Sequence, residues 1–525
     1  MEDAGFTFGQ LDYIIRGHDD PRRPLAPVPK TILSLAKTLY DGLNAIDQAH
    51  PDITNKDDAT DELIRGKAGL LYEQPVVDQI IGLLDGTTVY ATNAPANQTI
   101  TIPDSLAQKL KYSTQKDTVP PTAVIQVAGI LTDAEIALAK SLSPSPDWGS
   151  AIDRVGKQPR HFLDDYLFGI FPNIDDAAKN LLAGDVNPPP DPNNSAATDA
   201  NTAPAKRFYL LQHFLPFLRQ QLSHRLVVET LAGAAGLAND VTDVLLSGIL
   251  VAGPAKDYAI AVLENVHHQP PGPATGWKGY LIPPAAGSYT FIAISDTQPA
   301  PLVLNGTPVP FPHQQDDPSN VWSSDPVNLK SGTLYALETG VIPLQWKTAI
   351  SPKARIPASA LLPNYTTDGY SEAFVKLFKT ALLVNGFNLS ADEVAYLQSH
   401  PNDFDQLDFN APTLQHWRRL QAYGALRDGI PKSDATLLDL FKWANGTGNP
   451  AEVSARIAAL TLWNQDDVSR LIAPEHFDLN RPEAFRNEIN LVRLQNALKV
   501  SGGIGAGIDR LFGWANPASK FAVWL

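Results

Sequence analysis

Apolar positions along this chain repeat at two periods. In most of it they fall three and four residues apart. Phe374, Leu377, Phe378, Ala381 and Leu382 form one such set. Leu437, Leu440, Phe441 and Ala444 form another, and Val241, Val244, Leu245 and Gly248 a third. That spacing puts each set on one face of an α-helix, and such stripes are read as core. Helix starts are marked as well. Thr7 with Gln10, Thr132 with Glu135, and Ser390 with Glu393 have the spacing of capping boxes, and Asn464 with Asp467 is a looser version. In a capping box the hydroxyl takes an orphan backbone N–H while the third-position side chain reaches back to the cap. These marks follow no fixed period, which predicts an irregular helical array and not a solenoid.

The second period is two. In "GWKGYLIPPAAGSYTFIAISD", Gly276 to Asp296, the residues Tyr289, Phe291 and Ala293 alternate onto one face. "LVLNGTPV" holds two short strands around Asn305-Gly306, a strong hairpin signal. A further strand pair is expected across Lys330-Ser331-Gly332, and "IPLQWKTA" follows. Short strands spaced by turns over residues 272–363 predict an antiparallel β-sandwich. Helices resume at about Tyr370. Upstream, Gly86 to Tyr112 reads as a small hairpin excursion, and residues 184–206 as a mobile proline-rich loop. A linker, Asn265 to Gly276, leads into the sandwich. The expected fold is therefore mainly α, interrupted by an inserted antiparallel β-sandwich. Its parts are an N-terminal helical region (1–265), the sandwich (272–363) and a C-terminal helical region (364–525).

Composition narrows the function. At 525 residues the chain exceeds what one hydrophobic core organises. A formal charge of −15 argues against a nucleic-acid partner. With no cysteine, disulfides, thiolate metal sites and cysteine nucleophiles are excluded. No apolar run reaches the roughly 18–20 residues of a membrane span. The N-terminus lacks the basic and apolar regions of a secretory signal. A secreted or extracellular location would need another route, with the cytoplasm as the place before release.

Catalytic patterns are weak. "SPDWGSAI" matches the Ser145, Asp147 and Gly149 positions of a sialidase Asp-box but ends in Ile152 instead of tryptophan. It is a single partial copy, where a propeller needs several blades. "GGIGAGIDRLFGWA", Gly502 to Ala515, lacks the preceding strand of a nucleotide site, so its glycines are read as ending one helix and starting the next. His267-His268 stand without the further ligands a metal wants. Catalysis is not expected. Trp277, Trp322 and Trp346 are read first as sandwich core, with sugar stacking as the alternative.

The strand blocks "GWKGYLIPPAAGSYTFIAISD", "LVLNGTPV", "VNLKSGTLYALE" and "LQWKTAISPKARIPASALLP" come in the order of the protective-antigen-type β-sandwich, which they resemble. The flanks, among them "GFTFGQLDYIIRGHDDP", "GILTDAEIALA", "LFKTALLVNGFNLSADEVAYL" and "ALTLWNQDDVSRLI", resemble the helical shell region of the A component of Tc-type insecticidal toxin complexes. This resemblance implies a pentameric translocator whose shell encloses a channel. Its surface sandwiches would bind a host receptor or glycan, and its partners would be other toxin-complex subunits. That A component is several times longer. Its pore-forming helices have no counterpart here, so the chain is expected to be a fragment or a short relative, and pore formation is not carried over.

In the adhesin branch of the sandwich family, an aspartate pair and an asparagine bind calcium, which makes Asp296 and Asn305 candidate ligand-binding residues, and Trp322, through sugar stacking, is the third. Calcium wants six to eight oxygens. Thr297 replaces the second aspartate, so no cofactor is expected. Two other readings stand beside receptor binding: a purely structural shell fragment, and a carbohydrate-active enzyme with an accessory sandwich.

Overall fold

A computed structural model describes residues 6–20, 22, 24–27, 29–96, 98–115, 120–163, 165–166, 203–264, 277–315, 320–340, 344–349, 351–357, 360–431, 435–446 and 448–515. All three expected capping boxes form. At each of Thr7, Thr132 and Ser390 the side chain accepts the N3 backbone N–H, and Gln10, Glu135 or Glu393 reaches back. Asn464 accepts from the backbones of Asp466 and Asp467 without a reciprocal bond. Thr413 with His416 and Thr436 with Asp439 add two boxes the sequence reading passed over.

The chain opens with helices α1 (Phe8–Arg16), α2 (Pro29–Ala49), α3 (Asp61–Ala68) and α4 (Gln74–Leu84). Strand β1 (Val89–Ala94), helix α5 (Asp104–Ala107) and strands β2 (Leu110–Gln115) and β3 (Thr122–Ala128) follow. Next come α6 (Asp133–Ser141), α7 (Pro146–Leu163), α8 (Ala203–Ala235) and α9 (Asn239–Gly248). A short pair, β4 (Val251–Ala252) and β5 (Asp257–Tyr258), precedes α10 (Ala259–Glu264).

The sandwich holds β6 (Trp277–Leu281), β7 (Gly287–Ile294), β8 (Leu302–Leu304), β9 (Thr307–Val309), β10 (His313–Gln314) and β11 (Val321–Ser323). Its later strands are β12 (Val327–Leu329), β13 (Tyr335–Thr339), β14 (Gln345–Thr348), β15 (Ala354–Arg355) and β16 (Leu361–Pro363). Helices then return: α11 (Asn364–Gly386), α12 (Ala391–Ser399), α13 (Leu414–Asp428) and α14 (Leu437–Asn445). The last are α15 (Val453–Thr461), α16 (Gln465–Ile472), α17 (Ile489–Ile504) and α18 (Ile508–Ala515). The fold is mainly helical, with antiparallel sheets inserted.

Two compact units result, residues 1–43 with 224–525, and residues 44–223. In the second, β1 and β2 both pair antiparallel to β3. The excursion at Gly86 to Tyr112 is therefore not a hairpin. The alternation of Ala123, Ile125 and Val127, all buried, makes β3 the central strand and leaves β1 and β2 as edges. Helix α7 packs on this sheet, with Trp148 fully buried and its indole N–H donated to the Ala139 carbonyl at 2.8 Å. The Asp-box fragment thus covers the start and about the first two turns of helix α7. Residues 184–202 of the expected loop lie outside the described residues, and residues 203–206 belong to α8, which corrects the loop's end.

The first unit carries a large helical core and a separate sandwich core. The helical core takes in the Leu437, Leu440, Phe441 and Ala444 stripe. Gly505, at φ 70°, caps α17 before α18, so the glycine-rich run ends one helix and precedes the next, as expected. Helices resume at Asn364, earlier than Tyr370.

In the sandwich one sheet runs β10-β11-β7-β14-β15, with β12 also on β7. The other runs β16-β6-β13-β8-β9. Tyr289, Phe291 and Ala293 point into the shared core with Leu302, Leu337 and Trp346. Asn305 and Gly306 have φ of 50° and 77°, the two positive values a type I′ hairpin turn requires, and join β8 to β9. The strand pair expected across Lys330-Ser331-Gly332 does not form. Strand β12 pairs with β7, and β13 with β6 and β8 in the opposite sheet. Gly332 N–H bonds the Pro283 carbonyl and Ser331 Oγ the Pro284 carbonyl, which holds the turn to the β6–β7 loop and lets the strands diverge. The entry linker, with His267-His268, lies outside the described residues.

Candidate functional site

Strand β7 delivers Asp296 to the end of the six-stranded sheet. Its buried face ends at Ala293, and the chain bends at Asp296, whose side chain is exposed. Trp322, on β11, sits opposite Ala293 and is half-buried against the core. Its Nε1 donates to the Ser295 carbonyl at 2.9 Å, pinning the strand end beside Asp296. Asn305 lies in the other sheet. Its backbone N–H donates to the Ala336 carbonyl, and its Oδ1 accepts the Ala336 N–H, both at 2.7 Å. The structure thus links Trp322 to the Asp296 corner and commits the Asn305 amide oxygen to β13. Trp346 is buried, its ring 4.9 Å from that of Tyr289.

These placements separate the three residues by role. Asp296→Ala is expected to leave sandwich stability unchanged. Asn305→Ala removes a hydrogen bond and leaves alanine at positive φ, lowering stability by about 1–2 kcal/mol. Thermal unfolding of the two variants checks this. Equal losses would contradict it.

Three polar clusters elsewhere escaped the sequence reading. His224, on α8, has Nε2 2.9 Å from Asp243 Oδ1 of α9 and Nδ1 2.9 Å from Glu264 Oε1 at the end of α10. Ser247 Oγ donates to the same Asp243 oxygen at 2.6 Å. Carboxylates facing both nitrogens of an imidazole favour its protonated form. The Glu264 hydrogen bond, with Asp243 adding to it, raises the His224 pKa against the opposing effect of burial.

The second cluster joins α12 to α13. Glu393 accepts from the Tyr423 hydroxyl at 2.5 Å and from Arg427 Nη1 at 3.2 Å, while its cap bond to Ser390 persists. Burial, with Glu393 beside it, pushes the Tyr423 pKa far up. The third pairs Arg419 with Glu488 at 2.9 Å, the two 8% and 1% exposed. Arg419 Nη2 also donates to the Asp403 carbonyl at 2.9 Å. Burial raises the Glu488 pKa. No local spacing marks these groups, since their partners lie on different helices and Glu488 stands just before α17.

The raised His224 pKa gives a pH dependence with a definite sign. Stability from this clamp is full below the unfolded value of about 6.5 and lost as pH rises through the folded value. The stability gap between wild type and His224→Gln is therefore expected to be wider at about pH 6 than at about pH 9. Urea unfolding at both checks it, and a constant gap would refute the clamp.

Among the described residues no three His, Cys, Asp or Glu side chains are grouped to hold a metal ion. No described helix is long and apolar enough to cross a membrane. Comparison with protein-family models, curated proteins and solved structures returns no match.

Proposed function

We propose that this chain works by recognition and scaffolding, as a part of a Tc-like toxin A component. In this reading the helical regions form the scaffold and meet neighbouring subunits of a larger assembly. The sandwich meets a host receptor or glycan. The observation that carries the reading is the sandwich's self-contained core. Leu281, Phe291, Leu302, Leu337 and Trp346 close between two sheets, apart from the helical core. The insertion leaves from α10 and returns at α11, and these are stitched by the bond from the Tyr370 hydroxyl to the Leu263 carbonyl at 3.1 Å. A domain so inserted adds a surface without altering the helical packing beneath it.

The polar groups singled out by burial support binding over catalysis. Glu393, Glu488 and the carboxylates around His224 each hold two helices together. Within the sandwich, Asp296 is exposed and lies beyond the end of β7, whereas the exposed Asn305 commits its amide oxygen to the Ala336 N–H.

A glycan array and host-cell membranes probed with the full chain test the reading. Binding is expected to survive EDTA, since Thr297 stands where a calcium site would want a second carboxylate. Asp296→Lys is expected to weaken it at unchanged stability. No binding to either panel would favour a purely structural role, and turnover of a glycoside panel would favour an enzyme.

A further inference from the structure

Strand β1 is an edge whose outer backbone groups stand open. Gly129 N–H donates to the Thr88 carbonyl at 2.9 Å, and Val89 lies opposite Ala128. Bonds in an antiparallel ladder alternate. Tyr90, Thr92 and Ala94 are therefore the residues bonded to β3, and Val89, Ala91 and Asn93 turn their N–H and C=O groups away from it. The far side of β3 agrees. Ala128 N–H donates to the Lys109 carbonyl at 2.8 Å, which assigns the alternate residues of β3 to β2. The outward N–H and C=O groups of Val89, Ala91 and Asn93 thus have no partner among the described residues, and all three residues are exposed.

Edges in natural sheets are guarded by proline, by charge or by shortness. Here β9 carries Pro308, β16 Pro363, β15 Arg355 and β2 Lys111, and β10 is only two residues long. The run VYATNA of β1 holds neither proline nor charge. One cation stands over it instead. Helix α7 packs on the face that carries Tyr90, Thr92 and Ala94, and from this helix Arg154 Nη1 donates to Thr92 Oγ1 at 3.3 Å. The other lysine and arginine of α7 are matched, Lys157 to Asp153 at 3.8 Å and Arg160 to Asp133 at 2.9 Å. Arg154 is exposed and has no carboxylate partner among the described residues. In a strand added beside β1, the residue opposite Thr92 shares the face of Thr92 and so lies beside this guanidinium.

We propose that β1 takes an extended segment of a partner polypeptide as a fourth strand of this sheet, with a carboxylate opposite Thr92 that meets Arg154. Main-chain bonds to Val89, Ala91 and Asn93 hold the segment, and the carboxylate fixes its register. The sandwich takes no part in this contact, which therefore stands apart from receptor binding.

The test uses the full chain and a fluorescein-labelled peptide that alternates threonine with valine and has glutamate in place of the central valine. It is expected to bind, and lysine in place of the glutamate to weaken it about tenfold or more. N-methylation of the two threonines flanking the glutamate, whose N–H groups face β1, is expected to abolish binding. N-methylation of the glutamate, whose N–H faces away, is expected to spare it. Ala91→Pro removes an outward N–H and no bond to β3, so the variant should keep its circular dichroism and bind about tenfold or more weakly. Arg154→Glu should turn the preference toward the lysine peptide. No binding, equal binding of the glutamate and lysine peptides, or equal effects of the two methylations overturns the proposal. So does binding gained only when residues 167–202 are removed, which would make that segment the occupant. A self-association abolished by Ala91→Pro would make a second copy the occupant, and overturns it too.

Discussion

Replacing Arg419 with alanine is expected to destabilise the helical unit by about 3–5 kcal/mol, because it strands the Glu488 carboxylate in the interior. Glu488 is 1% exposed, and its Oε2 has no hydrogen-bond partner among the described residues. Its Oε1 meets Arg419 as an ionic contact and not through a well-aligned N–H bond. Without the cation the carboxyl is forced toward its neutral form, the direction in which burial already pushes it. The deficit of the variant is therefore expected to narrow in acid. Replacing both partners, Arg419→Met with Glu488→Leu, is expected to recover most of the loss, since neither charge then needs its counterpart. Urea unfolding of the three proteins checks the set. A single variant as stable as wild type would mean that the pair does not tie α13 to the N-terminal cap of α17.

Trp346→Ala is the second large effect. The ring is 6% exposed, packs on Tyr289 and belongs to the core shared by both sheets. Truncation is expected to cost the sandwich about 3–5 kcal/mol. The consequence for the architecture lies in where that loss appears. Because the sandwich core and the helical core are separate clusters, the sandwich transition should move and the helical transition should stay. Hydrogen exchange resolved by peptide separates the two. A parallel loss of protection in α11 to α14 would show that they unfold as one.

What the sequence made legible was local. Thr7, Thr132 and Ser390 announce helices because a cap and its N3 partner are three residues apart. Tyr289, Phe291 and Ala293 announce a buried strand because alternation needs only neighbours, and Asn305-Gly306 announces its turn for the same reason. Pairing was less legible. Strands β12 and β13 read as a hairpin because they adjoin in sequence, but bonds to Pro283 and Pro284 decide their separation. Strand β3 escaped because its place between β1 and β2 is a matter of long-range register. The clamps at His224 and Glu393 join residues 19, 40 and 30 positions apart, beyond any spacing rule. Of the candidate ligand residues, Asn305 was recognisable as a turn. The anchoring of Trp322 to Ser295 required the paired strands to be seen.

The central claim is that the sandwich is the recognising part and the helices are the support. The direct measurement is binding of host-cell membranes by the full chain and by a chain in which a short Gly-Ser linker replaces residues 277–363. The ends to be joined are already held together by the Tyr370–Leu263 bond, so the helical unit should fold without the insertion. The account predicts that the shortened chain keeps its helical circular dichroism and loses membrane binding. A shortened chain that folds and binds as well as the full chain would contradict it.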